Sequence, residues 1–278
     1  MNKAPNFLIV GVPRAGTTSI WNYLKEHPEV FMPEQKYPRY FGEEKSVIMP
    51  HIHNNKKEYL KQFEGVKENH KAIGEGSHYF HSKIAPEQIS KFNPEMKIVI
   101  ILRNPADILY SHLFMDKFNN DKIEDYLWAR NNLRYSRNIK RYLKYFKREN
   151  IHIIIFEEFF NNNTQKEFDK LCYFLEISQM TSEFKNFNPK TKVKNRWIHW
   201  IYFKVNPEKR YSFLNNIPNF SVKLLKSVYK FLAFGKKQKC KITKEEKEKI
   251  LYWYEDEIKK TEKLLGRNLD IWRIKNEN

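Results

Sequence analysis

The sequence predicts an α/β fold, a parallel β-sheet flanked by helices on both faces within a single domain. Three observations carry this. Short apolar runs at 6–11, 71–75, 97–102 and 151–156 read as strands. Helical patterns separate them, and strands alternating with helices of that length argue for a covered parallel sheet. A glycine-bounded turn joins the first strand to the first helix, as in sheets of the P-loop type.

The elements follow in order. Phe7-Leu8-Ile9-Val10 ends at Gly11 and hands over to a helix at 17–27. The short strand 71–75 (KAIGE) leads to a helix at 83–92. The strongly apolar 97–102 (KIVIIL) precedes helices at 105–118, 122–132 and 135–149, the first opened by Pro105. Strand 151–156 (IHIIIF) is followed by a helix at 164–175, with Thr164 as N-cap and Glu167 at capping-box spacing. Residues 178–242 are irregular, basic and rich in Asn, Pro and aromatics, a candidate lid over cofactor or acceptor. A last helix, 244–265, has Thr243 and Glu246 at its start and Gly266 as stop signal. With 278 residues and neither repeats nor a linker, 1–278 reads as one domain.

The formal charge of +18 implies an anionic partner or, in so Lys-rich a chain, a solvated surface. Cys172 falls in an apolar helical pattern and Cys240 among lysines, which fits a reducing compartment. The opening residues do not read as a secretory signal, no run is long enough to cross a bilayer, and a cytoplasmic location is expected. The amphipathic stretch 220–234 suits peripheral membrane contact or packing onto its own domain with lysines outward. His51, His53, His78 and His81 complete no ligand pattern, so no metal is expected.

The sharpest signal is Gly11-Val12-Pro13-Arg14-Ala15-Gly16-Thr17-Thr18, a strand-to-helix turn that aims backbone N–H groups at an anion. A triphosphate-binding loop would carry Lys after the second glycine. Here Thr17 takes that place and the cation is Arg14, inside the loop. Strand 97–102 ends in Arg103, where a metal-holding acid would stand in a nucleoside triphosphatase. A cation there suits an extra phosphate. Ser111 follows two helical turns after Arg103-Asn104-Pro105.

On these residues the chain closely resembles the sulfotransferases, especially their bacterial and carbohydrate branches. Residues 11–18 match that family's G-x-P-[KR]-x-G-T-T loop, and 103–111 its R-N-P-x-[DE]-x-x-x-S motif. GEGSHYF at 74–80, the stretch 142–159 and the closing 254–272 are similar to family segments as well. The resemblance implies a donor, 3′-phosphoadenosine 5′-phosphosulfate (PAPS), with adenosine 3′,5′-bisphosphate (PAP) as product and no metal. It implies that Pro13, Arg14, Ala15, Gly16, Thr17 and Thr18 hold the 5′ end. Arg14 would stabilise charge on the leaving oxygen, and Arg103 and Ser111 would bind the 3′-phosphate. Lys237 and Lys239, in the basic loop 235–239, stand where carbohydrate sulfotransferases close a loop over the cofactor; a solvated charge run is the other reading.

The acceptor's proton needs a base. The carbohydrate branch's K-E-x-x-F-F segment, whose Glu is the base, is matched in part by Lys36-Tyr37-Pro38-Arg39-Tyr40-Phe41, with Tyr37 in the place of the Glu. A phenol is a poor base at neutral pH, so His78 or Glu75 is the expected substitute. An amine or already acidic acceptor needs less help. A glycan or lipid acceptor is expected, with nucleic acid excluded. The other readings are a P-loop small-molecule kinase, a family member that binds cofactor with impaired turnover, and a non-enzymatic binder of nucleic acid or anionic polysaccharide.

Overall fold

In the computed structural model, residues 4–42, 55–116, 133–161, 164–181, 184 and 243–273 are described. Five parallel strands form the sheet: β1 (Phe7–Gly11), β2 (Val30–Phe31), β3 (Ala72–Glu75), β4 (Lys97–Leu102) and β5 (Ile151–Ile155). Their spatial order is β2-β3-β1-β4-β5. The helices are α1 (Thr17–Lys25), α2 (Lys56–Lys61), α3 (Ala85–Phe92), α4 (Pro105–Asp116), α5 (Tyr135–Leu143), α6 (Phe156–Asn161), α7 (Thr164–Leu175) and α8 (Lys244–Leu265).

The strand sequences account for their placement. Every residue of β1 and β3, and every residue of β4 after Lys97, is buried, so side chains pointing to both faces are covered. A run such as Ile98-Val99-Ile100-Ile101-Leu102 belongs at the middle of such a sheet, and β4 pairs there with both β1 and β5. Removing that apolar surface from water is the main favourable contribution to folding, about 25 cal/mol per Å².

The expected strands all form, with ends shifted by at most one residue. Three short elements escaped the pattern: β2 has two residues and α2 and α6 six each, too few to show a period. Phe156, expected to end the fourth apolar strand, instead opens α6. Helix α5 stops at Leu143, short of the expected 149, and a 3-10 turn at Arg148–Asn150 leads into β5. Thr164 is the first helical residue of α7 rather than its cap. Helix α8 begins as read, with both bonds of the Thr243–Glu246 capping box present and Gly266 closing it at φ +67°. Cys172 is buried. The described residues fall in one compact unit. The expected helix 122–132, the amphipathic 220–234, Cys240, and the rest of the expected domain at 188–242 lie outside them.

The strand order positions the site. From β1 the chain moves to the β3–β2 side, and from β4 to the β5 side. The carboxyl ends of β1 and β4 therefore flank the crevice where ligands bind in open α/β sheets.

Candidate active site

The turn after β1 lies at that crevice. Val12 donates its N–H to the Ile101 carbonyl at 2.9 Å, tying the turn to the end of β4. Gly11 adopts φ +145°, and a Cβ there would stand 2.9 Å from the Cβ of Phe80. Gly16 adopts φ +82°, and a Cβ there would lie 2.5 Å from the Phe160 ring. Only glycine meets both demands at these positions. Helix α1 then starts at Thr17 with no side-chain cap, leaving first-turn N–H groups and the positive end of the dipole for an anion. Arg14, exposed on the turn, also adopts a left-handed backbone, φ +68°. For a non-glycine residue that conformation is costly, and such strain gathers at functional turns.

Arg103 leaves β4 into the same crevice. Its Nη1 donates to the Arg14 carbonyl at 2.8 Å, and its guanidinium lies 4.3 Å from the centre of the Phe156 ring. Its Nε is buried without a hydrogen-bond partner, an unspent donor on a cation beside the loop. Ser111 is half-buried on α4.

The turn carrying Arg103 is fixed by residues that sequence reading passed over. Asn104 accepts the Ala106 N–H at 2.9 Å, capping α4, and donates through Nδ2 to the Trp272 carbonyl at 2.8 Å. Glu157 accepts from the Asn104 backbone N–H at 2.9 Å and from the Trp272 indole at 2.7 Å. Burial raises the Glu157 pKa, and these donors pull it back. The available signal was an acidic pair directly after an apolar strand, Glu157-Glu158.

The segment 36–41 is fastened onto the extension of β3, bringing together two stretches distant in sequence. Gly76 donates to the Lys36 carbonyl at 3.2 Å, and Arg39 donates to Ser77 Oγ at 3.3 Å. The Tyr79 hydroxyl accepts from the N–H groups of Tyr40, at 3.0 Å, and Phe41, at 3.4 Å. This anchorage sends the Lys36 side chain back to the loop. Its Nζ lies 2.6 Å from Thr18 Oγ1, 3.4 Å from Thr17 Oγ1 and 3.0 Å from the Tyr37 hydroxyl. The missing loop lysine thus has a counterpart reaching in from another segment. Burial lowers the Lys36 pKa to about 7, so an arriving anion would restore its charge. Burial also raises the Tyr37 phenol, only partly offset by Thr18, Arg39 and Arg14.

The two expected substitutes for the base are placed differently. Glu75 is 0% exposed, beneath an aromatic wall that includes Tyr59 and Tyr79. No donor reaches hydrogen-bond geometry on either of its oxygens, although both tyrosine hydroxyls approach closely enough to offset part of the burial. Burial still pushes Glu75 up to about 8. Glu75 is thus enclosed away from the surface, where the sequence reading expected it to meet the acceptor. His78 does reach the site, its ring 4.8 Å from that of Tyr37. Burial first, then Lys36, Arg39, His81 and Arg14, press it down to about 3, which makes it a weak base. Glu34, beside the altered segment, pairs with Lys25 at 3.0 Å and is exposed. Lys237, Lys239, His51 and His53 lie outside the described residues.

The family model for the sulfotransferase domain matches residues 4–262. The chain belongs to the sulfotransferase domain family. Among its relatives, it is 29% identical over 113 residues to human bifunctional heparan sulfate N-deacetylase/N-sulfotransferase 3, covering 40% of the chain and 13% of the relative. It is 31% identical over 125 residues to the mouse heparan sulfate N-deacetylase/N-sulfotransferase 2, covering 44% and 14%. The matched region spans about a seventh of those relatives. The crystal structure of a sulfotransferase from Alicyclobacillus acidocaldarius superposes with a TM-score of 0.70 at 22% identity, covering 98% of this chain and 99% of that one. The parallel five-stranded sheet is therefore the fold of a sulfotransferase, as expected from the two motifs.

Proposed function

We propose that this sulfotransferase moves a sulfuryl group from PAPS to an amine or hydroxyl of a carbohydrate. The observation that carries this is the convergence of Arg14, Arg103 and Lys36 on one crevice, from three separate segments. A nucleotide with phosphate at both its 3′ and 5′ positions presents anions at both ends, and this arrangement supplies cations and open N–H groups for both. The residues fit that group: helix α1 has no side-chain cap, the Arg103 Nε is unspent, and the Lys36 ammonium reaches three hydroxyls and no acid among the described residues.

PAPS supplies the activated sulfuryl group, joined to the 5′-phosphate through the oxygen that departs. The backbone of 13–18, with the Thr17 and Thr18 hydroxyls, would hold the 5′ end. Arg14 and Lys36 would meet charge growing on the departing oxygens, the electrostatic contribution that usually dominates such transfers. Arg103 and Ser111 would hold the 3′-phosphate. An accessible carboxylate base is lacking among the described residues at 36–41 and 74–80. That favours an amine, since its lone pair attacks before its proton must leave. The N-sulfotransferase relatives point the same way.

Calorimetric titration tests the donor. PAP should bind without metal at least about tenfold more tightly than Mg-ATP. The reverse order would support the kinase reading. Transfer from sulfur-35-labelled PAPS to amino-sugar oligosaccharides then tests the acceptor; label only on phenols or non-carbohydrate alcohols would overturn that part.

A further inference from the structure

The acceptor side of the site is cationic where its family carries an acid. Three groups surround the Tyr37 ring: Lys36 Nζ at 4.7 Å, the Arg39 guanidinium carbon at 5.7 Å and the His78 ring at 4.8 Å. The charges of Arg14 and His81 also reach His78. Among the described residues, the ionisable groups facing Arg39 are the phenols of Tyr37 and Tyr79 and the His78 ring, and no carboxylate lies within ion-pair distance of Arg39 or Lys36. Elsewhere on this chain, cations find acids readily: Arg273 alone meets Glu255, Glu262 and Asp270.

Arg39 is also held in place. Its backbone is left-handed, φ +56°, which an arginine adopts only when its surroundings enforce it. Enforcement comes from Ser77 on its own N–H and from Tyr79 on the two that follow. The guanidinium is half-buried, which raises the cost of leaving it without an anion.

We infer that Arg39 determines acceptor specificity, pairing with a carboxylate or sulfate that an acidic saccharide carries beside its reacting group. The inference rests on the sulfotransfer reading above and narrows it. The acceptor brings the negative charge that Tyr37 does not provide, and a planar, fork-shaped guanidinium is suited to grip it in a fixed orientation. A neutral saccharide would leave the same arginine unpaired.

The test uses the full chain saturated with PAP and two probes: a hexasaccharide of alternating glucuronate and N-acetylglucosamine, and the neutral chitohexaose. The acidic probe should bind at least about tenfold more tightly. Arg39→Asn, in which the new residue tolerates a left-handed backbone, should remove that preference while leaving PAP affinity unchanged; Arg39→Lys should keep part of it. Equal affinity for the two saccharides would overturn the inference. So would acidic-probe binding that survives Arg39→Asn, which would mark it as general attraction to a basic chain. Loss of PAP affinity in that variant would move Arg39 to the donor side and equally overturn it. Failure of the unaltered chain to bind PAP would instead sink the sulfotransfer reading itself.

Discussion

Arg103 donates through Nη1 to the main-chain carbonyl of Arg14 at 2.8 Å, so the two arginine-bearing turns of the site touch. Their strands, β1 and β4, are neighbours in the sheet, and the Val12 N–H binds them a second time. On the proposed function, both cations would serve one ligand. Arg103→Ala should weaken PAP binding by about 1.5–3 kcal/mol, the worth of a charge-assisted hydrogen bond. Calorimetric titration checks it, and unchanged affinity would place the 3′-phosphate elsewhere.

Lys36 should make nucleotide affinity pH-dependent. In the free protein its pKa is near 7, and a bound anion raises it, so binding takes up a proton above that pH. Affinity for PAP should therefore fall between pH 7.5 and 9, by up to about tenfold per pH unit. In Lys36→Met this decline should vanish. The same slope in the variant would assign it to another group.

A carboxylate at position 37 would lie beside Lys36, Arg39 and Arg14, all of which favour its ionised form. Tyr37→Glu should raise turnover on hydroxyl acceptors by on the order of a hundredfold, the usual worth of a positioned base. Steady-state rates with labelled PAPS decide this. A fall would mean that the phenol itself contacts the acceptor.

Glu75 gives a stability prediction with a definite sign. Its folded pKa, about 8, lies above the ordinary carboxylate range, so the folded state holds the proton more tightly than the unfolded chain. No penalty arises below about pH 4; stability is then lost as pH rises through 8. Glu75→Gln should raise the melting temperature relative to the natural chain at pH 9 and change it little at pH 4. A gain that is equal at both pH values would contradict the burial of an ionisable group there.

Much of the fold was legible because its signals are local and strong. The apolar runs that became β1, β4 and β5 depend on no distant partner for recognition, and the Thr243–Glu246 cap is written within four residues. The loop and Arg103 were legible through their spacing to strand ends. The base was not. Whether Glu75 faces a substrate or an aromatic wall depends on Tyr59, which lies sixteen positions earlier and whose helix α2 was too short to anticipate. The network of Asn104, Glu157 and Trp272 was equally hidden, since its members meet across 168 positions of chain.

That network ties Trp272 to the turn that carries Arg103. Trp272 donates its indole N–H to Glu157 and lends its carbonyl to Asn104, the residue next to Arg103. Cutting the chain after Leu269 would leave Arg14, Lys36 and Arg103 in place. It would nonetheless strip two buried polar groups, Asn104 and Glu157, of their Trp272 partners and loosen the turn on which Arg103 is mounted. Trp272 would in that way bear on how firmly Arg103 is positioned.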